Sequence, residues 1–436
     1  MNRYIKNALE KFPVRDILAK RLLDELSTSQ YYTMEKLEAV QNYKLGKIIK
    51  HCYESVPYYT DLFNSLKLKP QDIKTKEDLK KLPLMDKATI RENFDKLLSK
   101  KRNKVLCSCE TSSGTTGILS KIVRDITCVR YESAALKRFW QSAGDMGSKR
   151  VVLRGGIVVP GDIKEPPFWE YNRLNNELVM SSFHLFYENS KHYVNEIVNY
   201  RPEVVYAYPS TAYLAARFFA DEGIKLKLKA VFTSSETLSD YQRELIQEVF
   251  DCRVYDWYGQ SERVSAIGQC EMGTYHIIED YSITEIIPSQ EGNEIVGTHL
   301  YNYAMPLIRY RTCDIVELSD KKCSCGRHFR VVDRVLGRKS SYIMTLDGKK
   351  VSATLLGYFI KYVDSINEIQ FVQEKKGEVV INITTNSKFE ESDREKIINI
   401  TKEHMGKEMN VELNILDIIP RGSNGKYTSV INKIEC

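Results

Sequence analysis

The sequence predicts an α/β protein with a large N-terminal domain of layered sheets that carries a β-rich subdomain, followed by a small, mobile α+β C-terminal domain. Three observations lead there. The 436 residues exceed what one hydrophobic core usually serves. Short β-rich runs alternate with helical stretches between about Lys149 and Gly259. After Gly337 the hydrophobic pattern starts afresh.

The first hundred residues read as helical, with apolar positions at helical spacing from Met34 to Cys52 and from Ile90 to Leu98, punctuated by Pro57, Pro70 and Pro83. The runs RVVLRGGIVV, PEVVYAYP, KAVFTSS and CRVYDWYG then read as strands, with STAYLAARFFADEG and LSDYQRELIQEVF as the helices between them. That alternation predicts a largely parallel sheet. IIEDYSITEII, NEIVGTHL and IRYRTCDIVEL lack long helical partners and predict an antiparallel subdomain. The last hundred residues read as a strand, a helix near Leu355 to Val363 and three strands, NEIQFVQ, EVVINITT and VELNILD. The expected domains are 1–337 and 338–436.

A content of 42% hydrophobic and 28% charged residues is that of an ordinary globular protein. Sixty-four Lys and Arg against 58 Asp and Glu leave +6, without a basic stripe, so nucleic acid is not an expected partner. No stretch of about 18 uncharged apolar residues and no signal-peptide core occurs, which predicts a cytoplasmic chain with no membrane partner. Ten scattered cysteines argue against a disulfide scaffold.

Five short segments carry chemistry. Thr111-Ser112-Ser113-Gly114-Thr115-Thr116-Gly117 puts hydroxyls and glycines in one loop that can wrap a polyphosphate, although the same residues make a Ser/Thr-rich turn. Thr233-Ser234-Ser235-Glu236 joins a strand to a helix, where α/β folds bind ligands and where helices also need N-caps. In Asp256-Trp257-Tyr258-Gly259-Gln260-Ser261-Glu262 an aromatic face can stack on a purine and a carboxylate can hold Mg²⁺. Asp314, in Arg309-Tyr310-Arg311-Thr312-Cys313-Asp314, can accept two ribose hydroxyls or belong to a charged hairpin surface. Lys426 sits in a glycine-bracketed loop, Pro420-Arg421-Gly422-Ser423-Asn424-Gly425-Lys426, where a solvated lysine is the ordinary reading.

In order and spacing these segments resemble the adenylate-forming superfamily of acyl-CoA synthetases. VPYYTDLF and EDLKKLPLMDKATIREN point within it to the phenylacetate-CoA ligase and CapK-like branch. The resemblance runs from about Tyr43 to the end and implies ATP- and Mg-dependent activation of a carboxylic acid, followed by transfer to CoA or another thiol or amine. It implies that residues 111–117 hold the ATP phosphates, that Ser234, Ser235 and Glu236 line the adenine pocket, and that Tyr258 stacks near adenine with Asp256, Gly259, Gln260 and Ser261 beside it. It further implies that Glu262 binds Mg²⁺, Asp314 the ribose, Arg338 the nucleotide at a hinge, and that Lys426 is a mobile catalytic lysine. Ser261 replaces the usual Thr and Cys313 the usual Gly; Lys339-Ser340-Ser341 and Ile118-Leu119 also depart from the pattern.

Two other functions fit the same sequence: an adenylyltransferase that stops at AMP transfer, and a non-catalytic nucleotide-binding component of polysaccharide assembly. Trp140, Phe168, Trp169, Phe183, Phe186, Tyr206 and Tyr208 could wall an acid pocket or simply be core. The oligomeric state stays open.

Cys270, His276, Cys323 and Cys325 offer the ligand types that zinc prefers, and four of them close a tetrahedral structural site. The alternative is a set of unrelated buried thiols and a core histidine. Similar Cys and His sets in the resembled branch favour zinc, as a staple for the β-rich subdomain.

Overall fold

The computed structural model describes residues 14–112, 120–338, 342–352, 363–422 and 425–434. The chain opens with helices α1 (Val14–Ser29), α2 (Met34–Ser55) and α3 (Pro57–Ser65). Thr33 starts α2 by accepting the Lys36 N–H on its side chain at 3.4 Å. Val56, extended ahead of a proline, ends it, and Pro57 supplies the first turn of α3. Where one helix was expected over Ile90–Leu98 there are two, α4 (Lys87–Glu92) and α5 (Phe94–Leu97), parted at Asn93. Strands β1 (Cys107–Ser112) and β2 (Ser120–Asp125) pair antiparallel, and Asp125 then caps α6 (Ile126–Ser142) by accepting the Cys128 N–H at 2.8 Å.

The next segment holds β3 (Arg150–Leu153), β4 (Trp169–Asn172), β5 (Glu177–Met180), α7 (Ser190–Tyr200), β6 (Val204–Ala207), α8 (Pro209–Asp221), β7 (Ala230–Ser234), α9 (Asp240–Val249) and β8 (Arg253–Gly259). Their order is β8-β7-β6-β3-β5-β4, with β3 parallel to both β5 and β6, β6 parallel to β7, and β4 antiparallel to β5. Every residue of β6 and β7 is buried, which is why β6 and the first three residues of β7 are unbroken apolar runs rather than alternating ones. The expected strand RVVLRGGIVV stops at Leu153.

Strands β9 (Ala266–Gln269), β10 (Tyr275–Ile277), β11 (Ile283–Ser289), β12 (Gly292–Thr298), β13 (Tyr310–Leu318) and β14 (Val331–Arg338) follow in the order β11-β12-β13-β14-β10-β9-β8. The pairs β11–β12 and β12–β13 are antiparallel, as the sequence predicts, and so are β8–β9, β9–β10 and β10–β14, which it does not: β8, expected in the parallel sheet, meets an antiparallel neighbour in β9. Gly297 on β12 passes so close to a neighbouring segment that a Cβ there would lie 2.3 Å from the Val264 carbonyl oxygen.

The C-terminal part has a hairpin of β15 (Tyr342–Met344) and β16 (Lys350–Ser352), then β17 (Ile366–Gln373), β18 (Glu378–Thr385), α10 (Glu391–Met405), β19 (Asn410–Ile415) and β20 (Val430–Asn432). The sheet runs β19-β18-β17-β20, antiparallel at β17–β18 and parallel at its two edges. Helix α10 has no counterpart in the sequence reading. The helix expected near Leu355–Val363 lies, up to residue 362, outside the described residues.

The chain divides into two compact units, residues 1–143 with 257–335, and residues 144–256 with 336–436. Each has its own core, one centred on Leu45, Ile48, Tyr59, Phe63 and Leu307, the other on Val151, Phe168, Phe218, Phe371 and Ile381. In the first unit Arg138 of α6 makes a buried two-point ion pair with Asp280, at 2.6 and 3.0 Å. Arg138 also donates to the Leu26 carbonyl at 2.7 Å, and Ser29 donates to Asp280, so the pair ties down the end of α1. Among the described residues no helix is long and apolar enough to cross a membrane.

Candidate active site and metal centre

In the unit of parallel strands, several functional side chains sit just past the strands' carboxyl ends. Ser234 is the last residue of β7, and Ser235 takes a left-handed backbone with φ of 75°. Glu236 follows, half-buried, with each carboxylate oxygen engaged: Oε2 accepts the Ser210 N–H at 3.1 Å and Oε1 the Tyr427 N–H at 2.7 Å. Burial pushes its pKa up, against the pull of those two donors. Tyr427 is the residue after Lys426, so Glu236 holds the lysine loop by its backbone.

That loop is closed on itself. Gly422 N–H donates to the Lys426 carbonyl at 3.0 Å, and Gly425 N–H to the Gly422 carbonyl at 2.8 Å. Gly425 has φ of 73°, and a Cβ on it would lie 2.4 Å from Ser182 Oγ, so glycine is required twice over. Arg421 is buried beside Glu368, to which it donates, and its pKa stays raised because Glu368 and Glu236 outweigh the cost of burial. Gly337, φ 93°, packs on Thr237, with a would-be Cβ 2.7 Å from its Oγ1, and places Arg338 at the end of β14.

Two residues here escaped the sequence reading. Arg154 directly follows β3 and donates from Nη1 to Ser234 Oγ at 2.9 Å. Tyr208, expected only as an aromatic wall, uses its hydroxyl to accept the Gly155 N–H at 3.0 Å. Asp256 accepts the Thr233 hydroxyl at 2.6 Å. Phe168 stacks on His184, centroids 4.9 Å apart, and on Tyr193, while Trp169 meets Tyr193 edge-on. Phe168 is thus core.

In the other unit Tyr258 donates its hydroxyl to Asp314 Oδ2 at 2.7 Å, so the two residues expected at adenine and ribose are bonded to each other. Burial and the neighbouring Asp314 hold the Tyr258 phenol well above its usual pKa. Glu262 is buried, and its Oε1 accepts the Tyr310 hydroxyl at 3.0 Å. Its carbonyl takes the Nε2 hydrogen of His299 at 2.6 Å, while His299 Nδ1 accepts the Leu307 N–H at 3.0 Å. This fixes the tautomer of His299, whose pKa burial lowers to about 4, and with it the backbone under Glu262. Neither Tyr310 nor His299 was foreseen in that role. Gln260 accepts the Ser265 N–H at 3.3 Å, Ser261 is exposed, and Gly259 packs on Trp257. Ser113, Gly114, Thr115, Thr116 and Gly117 lie outside the described residues, and Ser112 is described only as the end of β1.

Cys270, His276, Cys323 and Cys325 do come together, their ligand atoms all within 4.8 Å of one another. Antiparallel pairing of β10 with β9 and β14 brings the two halves of the set to one place. Cys270 Sγ lies 3.5 Å from Cys323 Sγ, and Cys325 Sγ 3.5 Å from His276 Nε2. Ligands at the corners of a zinc tetrahedron with about 2.3 Å bonds are separated by about 3.8 Å, so the set fits. His276 Nδ1 faces the Phe329 carbonyl at 3.2 Å, which places the hydrogen there and leaves the Nε2 lone pair for a metal. Burial works against the Cys323 thiolate, but hydrogen bonds from Thr274, the Cys325 N–H and Cys270 bring its pKa below the usual thiol value. The purified protein is expected to carry one zinc per chain and Cys323→Ser to lose it with a drop in melting temperature; metal analysis that finds no zinc in the wild type removes the site.

The chain is 26% identical over 437 residues to Protein CapK of Staphylococcus aureus, covering 96% of each. It is 23% identical to the phenylacetate-coenzyme A ligase of Thermus thermophilus, over 91% of this chain and 97% of that one. Residues 343–433 match the CapK C-terminal domain family. The fold is that of a 2-hydroxyisobutyryl-CoA ligase structure in the postadenylation state, at a TM-score of 0.71 and 16% identity over 93% of this chain and 91% of that one. With an α/β architecture, a small C-terminal domain and relatives matched over their whole length, the chain is similar to adenylate-forming ligases of the phenylacetate-CoA ligase and CapK-like branch.

Proposed function

We propose that the protein uses ATP and Mg²⁺ to activate a carboxylic acid as an acyl-adenylate and then passes the acyl group to CoA or another thiol or amine. The observation that carries this reading is the hold of Glu236 on the Tyr427 N–H, which sets the Lys426 loop against the carboxyl ends of the parallel strands. A carboxylate attacking the α-phosphorus approaches an anionic centre, so fixed cations must screen both partners. Lys426 does this from the closed loop. Asp314, oriented by Tyr258, accepts the ribose hydroxyls. Glu262, held by Tyr310 and His299, keeps a carboxylate ready for Mg²⁺, which when bound supplies further positive charge at the phosphates. The 111–117 loop holds the phosphates, and Ser234 and Ser235 border the adenine. Withdrawal of the lysine loop frees that face for the second nucleophile.

The test is ATP–pyrophosphate exchange over a panel of carboxylic acids, with thioester formation measured on adding CoA. Exchange with at least one acid, and its loss by roughly 100-fold or more in a folded Glu262→Gln variant, is the expected result. Exchange without any thioester points to a protein that stops at AMP transfer or uses another acceptor. No exchange with any acid leaves a non-catalytic nucleotide-binding component.

A further inference from the structure

We propose that Arg154 is the seat of the substrate's carboxylate. This rests on the adenylation reading and deepens it, since it names the group that receives the acid. Strand order locates the site first. From β3 the chain proceeds to β4 and β5 on one side, whereas from β6 it proceeds to β7 on the other. The connections therefore diverge between β3 and β6, and ligands bind parallel sheets in such a crevice, outside the carboxyl ends of the strands. Leu153 pairs with Ala207 at those ends, so the next residues, Arg154 and Tyr208, stand abreast at the crevice.

Charge then identifies the ligand. Arg154 donates to Ser234 Oγ at 2.9 Å and lies 5.7 Å from the centre of the Tyr206 ring, and both of these partners are neutral. Among the described residues no carboxylate is within ion-pair distance of it. Glu177 acts on it only at longer range, and its carboxylate accepts the Asn172 amide at 2.9 Å. The neighbouring Arg150 faces Asp145 at 3.8 Å and Arg421 is paired with Glu368, so Arg154 differs from both. Burial pulls its pKa below the usual arginine range, yet a guanidinium keeps its proton at any working pH. A half-buried cation without an anion marks a place where a ligand can bring one.

The lysine loop lies on the same spot. A Cβ on Gly425 would fall 3.2 Å from the carbonyl oxygen of Gly155, the residue after Arg154. Arg154 thus stands where the acid must be when the α-phosphorus is attacked, and its planar fork suits a carboxylate.

Acetate is the probe, being small enough for any acid pocket, with acetamide as its neutral isostere and chloride to hold ionic strength constant. Acetate should raise the melting temperature of the wild-type chain and acetamide should not. Arg154→Met should lose the acetate response and keep the response to ATP, which also reports that it is folded. Arg154→Lys, the milder change should the Met variant not fold, should weaken acetate binding roughly tenfold or more, since it loses a charged two-point contact. An Arg154→Met chain that responds to acetate like wild type, a wild type that does not distinguish acetate from acetamide, or loss of the ATP response in a folded Arg154→Lys variant overturns the proposal, the last by giving the seat to a phosphate. Acetate binding through Arg154 in a chain with no ATP–pyrophosphate exchange keeps the seat and discards the adenylation reading. Exchange that does not depend on Arg154 does the reverse.

Discussion

Lys426→Ala is expected to reduce ATP–pyrophosphate exchange by roughly 100- to 1000-fold, the usual loss when one charged group aimed at a transition state is removed. The fold should survive. The bonds that close the loop, from Gly422 N–H to the Lys426 carbonyl and from Tyr427 N–H to Glu236, are made by the backbone and do not need the lysine side chain. Because a cation that acts while the α-phosphorus is under attack adds little to ground-state binding, ATP affinity should change far less than rate. Transfer from synthetic acyl-adenylate to CoA should be spared if, as proposed, the loop is withdrawn by then. Both half-reactions are measurable in one preparation, with circular dichroism as the check on folding. Equal loss of both would sink the withdrawing-loop account, and undiminished exchange would remove Lys426 from the catalytic residues.

Asp280→Ala should be the most damaging single change to stability in the first unit. It leaves Arg138 buried without its counter-charge and removes the acceptor that holds Ser29, and breaking a buried pair from one side costs about 3–5 kcal/mol. Replacing both partners by apolar residues, Arg138→Met with Asp280→Ala, should cost less than the single change, because no orphaned charge remains. Urea unfolding of the two variants decides it: a double variant no more stable than Asp280→Ala would mean that packing around α1, not the charge, carries the effect.

Long, strongly patterned segments were legible in the sequence. The buried runs at Val204–Ala207 and Ala230–Ser234 and the antiparallel runs from Ile283 to Leu318 appear as strands where expected. Helix α10 was not legible, because only Ile397, Thr401 and Met405 are buried in a segment whose other residues, Ile398 and Ile400 apart, are charged or polar. The β4–β5 hairpin was equally hidden, its outer strand exposing two of its four residues and fully burying none. The metal set was legible as two pairs of residues, but only strand pairing could join them. Arg154 went unnoticed for a related reason: RVVLRGGIVV reads as one strand, and only the chain's turn after Leu153 takes the arginine out of the ladder. Strand order, which places Arg154 and Tyr208 abreast, leaves no mark on local periodicity.

The missing side chain at Gly297 governs more than its own strand. With the Val264 carbonyl 2.3 Å from where a Cβ would stand, even alanine must drive β12 and the 264 segment apart. Gly297 is also the cross-strand partner of Tyr310, whose hydroxyl holds the Glu262 carboxylate, and Val264 lies two residues after Glu262. The acid and its tether therefore meet across a seam whose width is set by a single hydrogen atom. Substitution has no room at that seam.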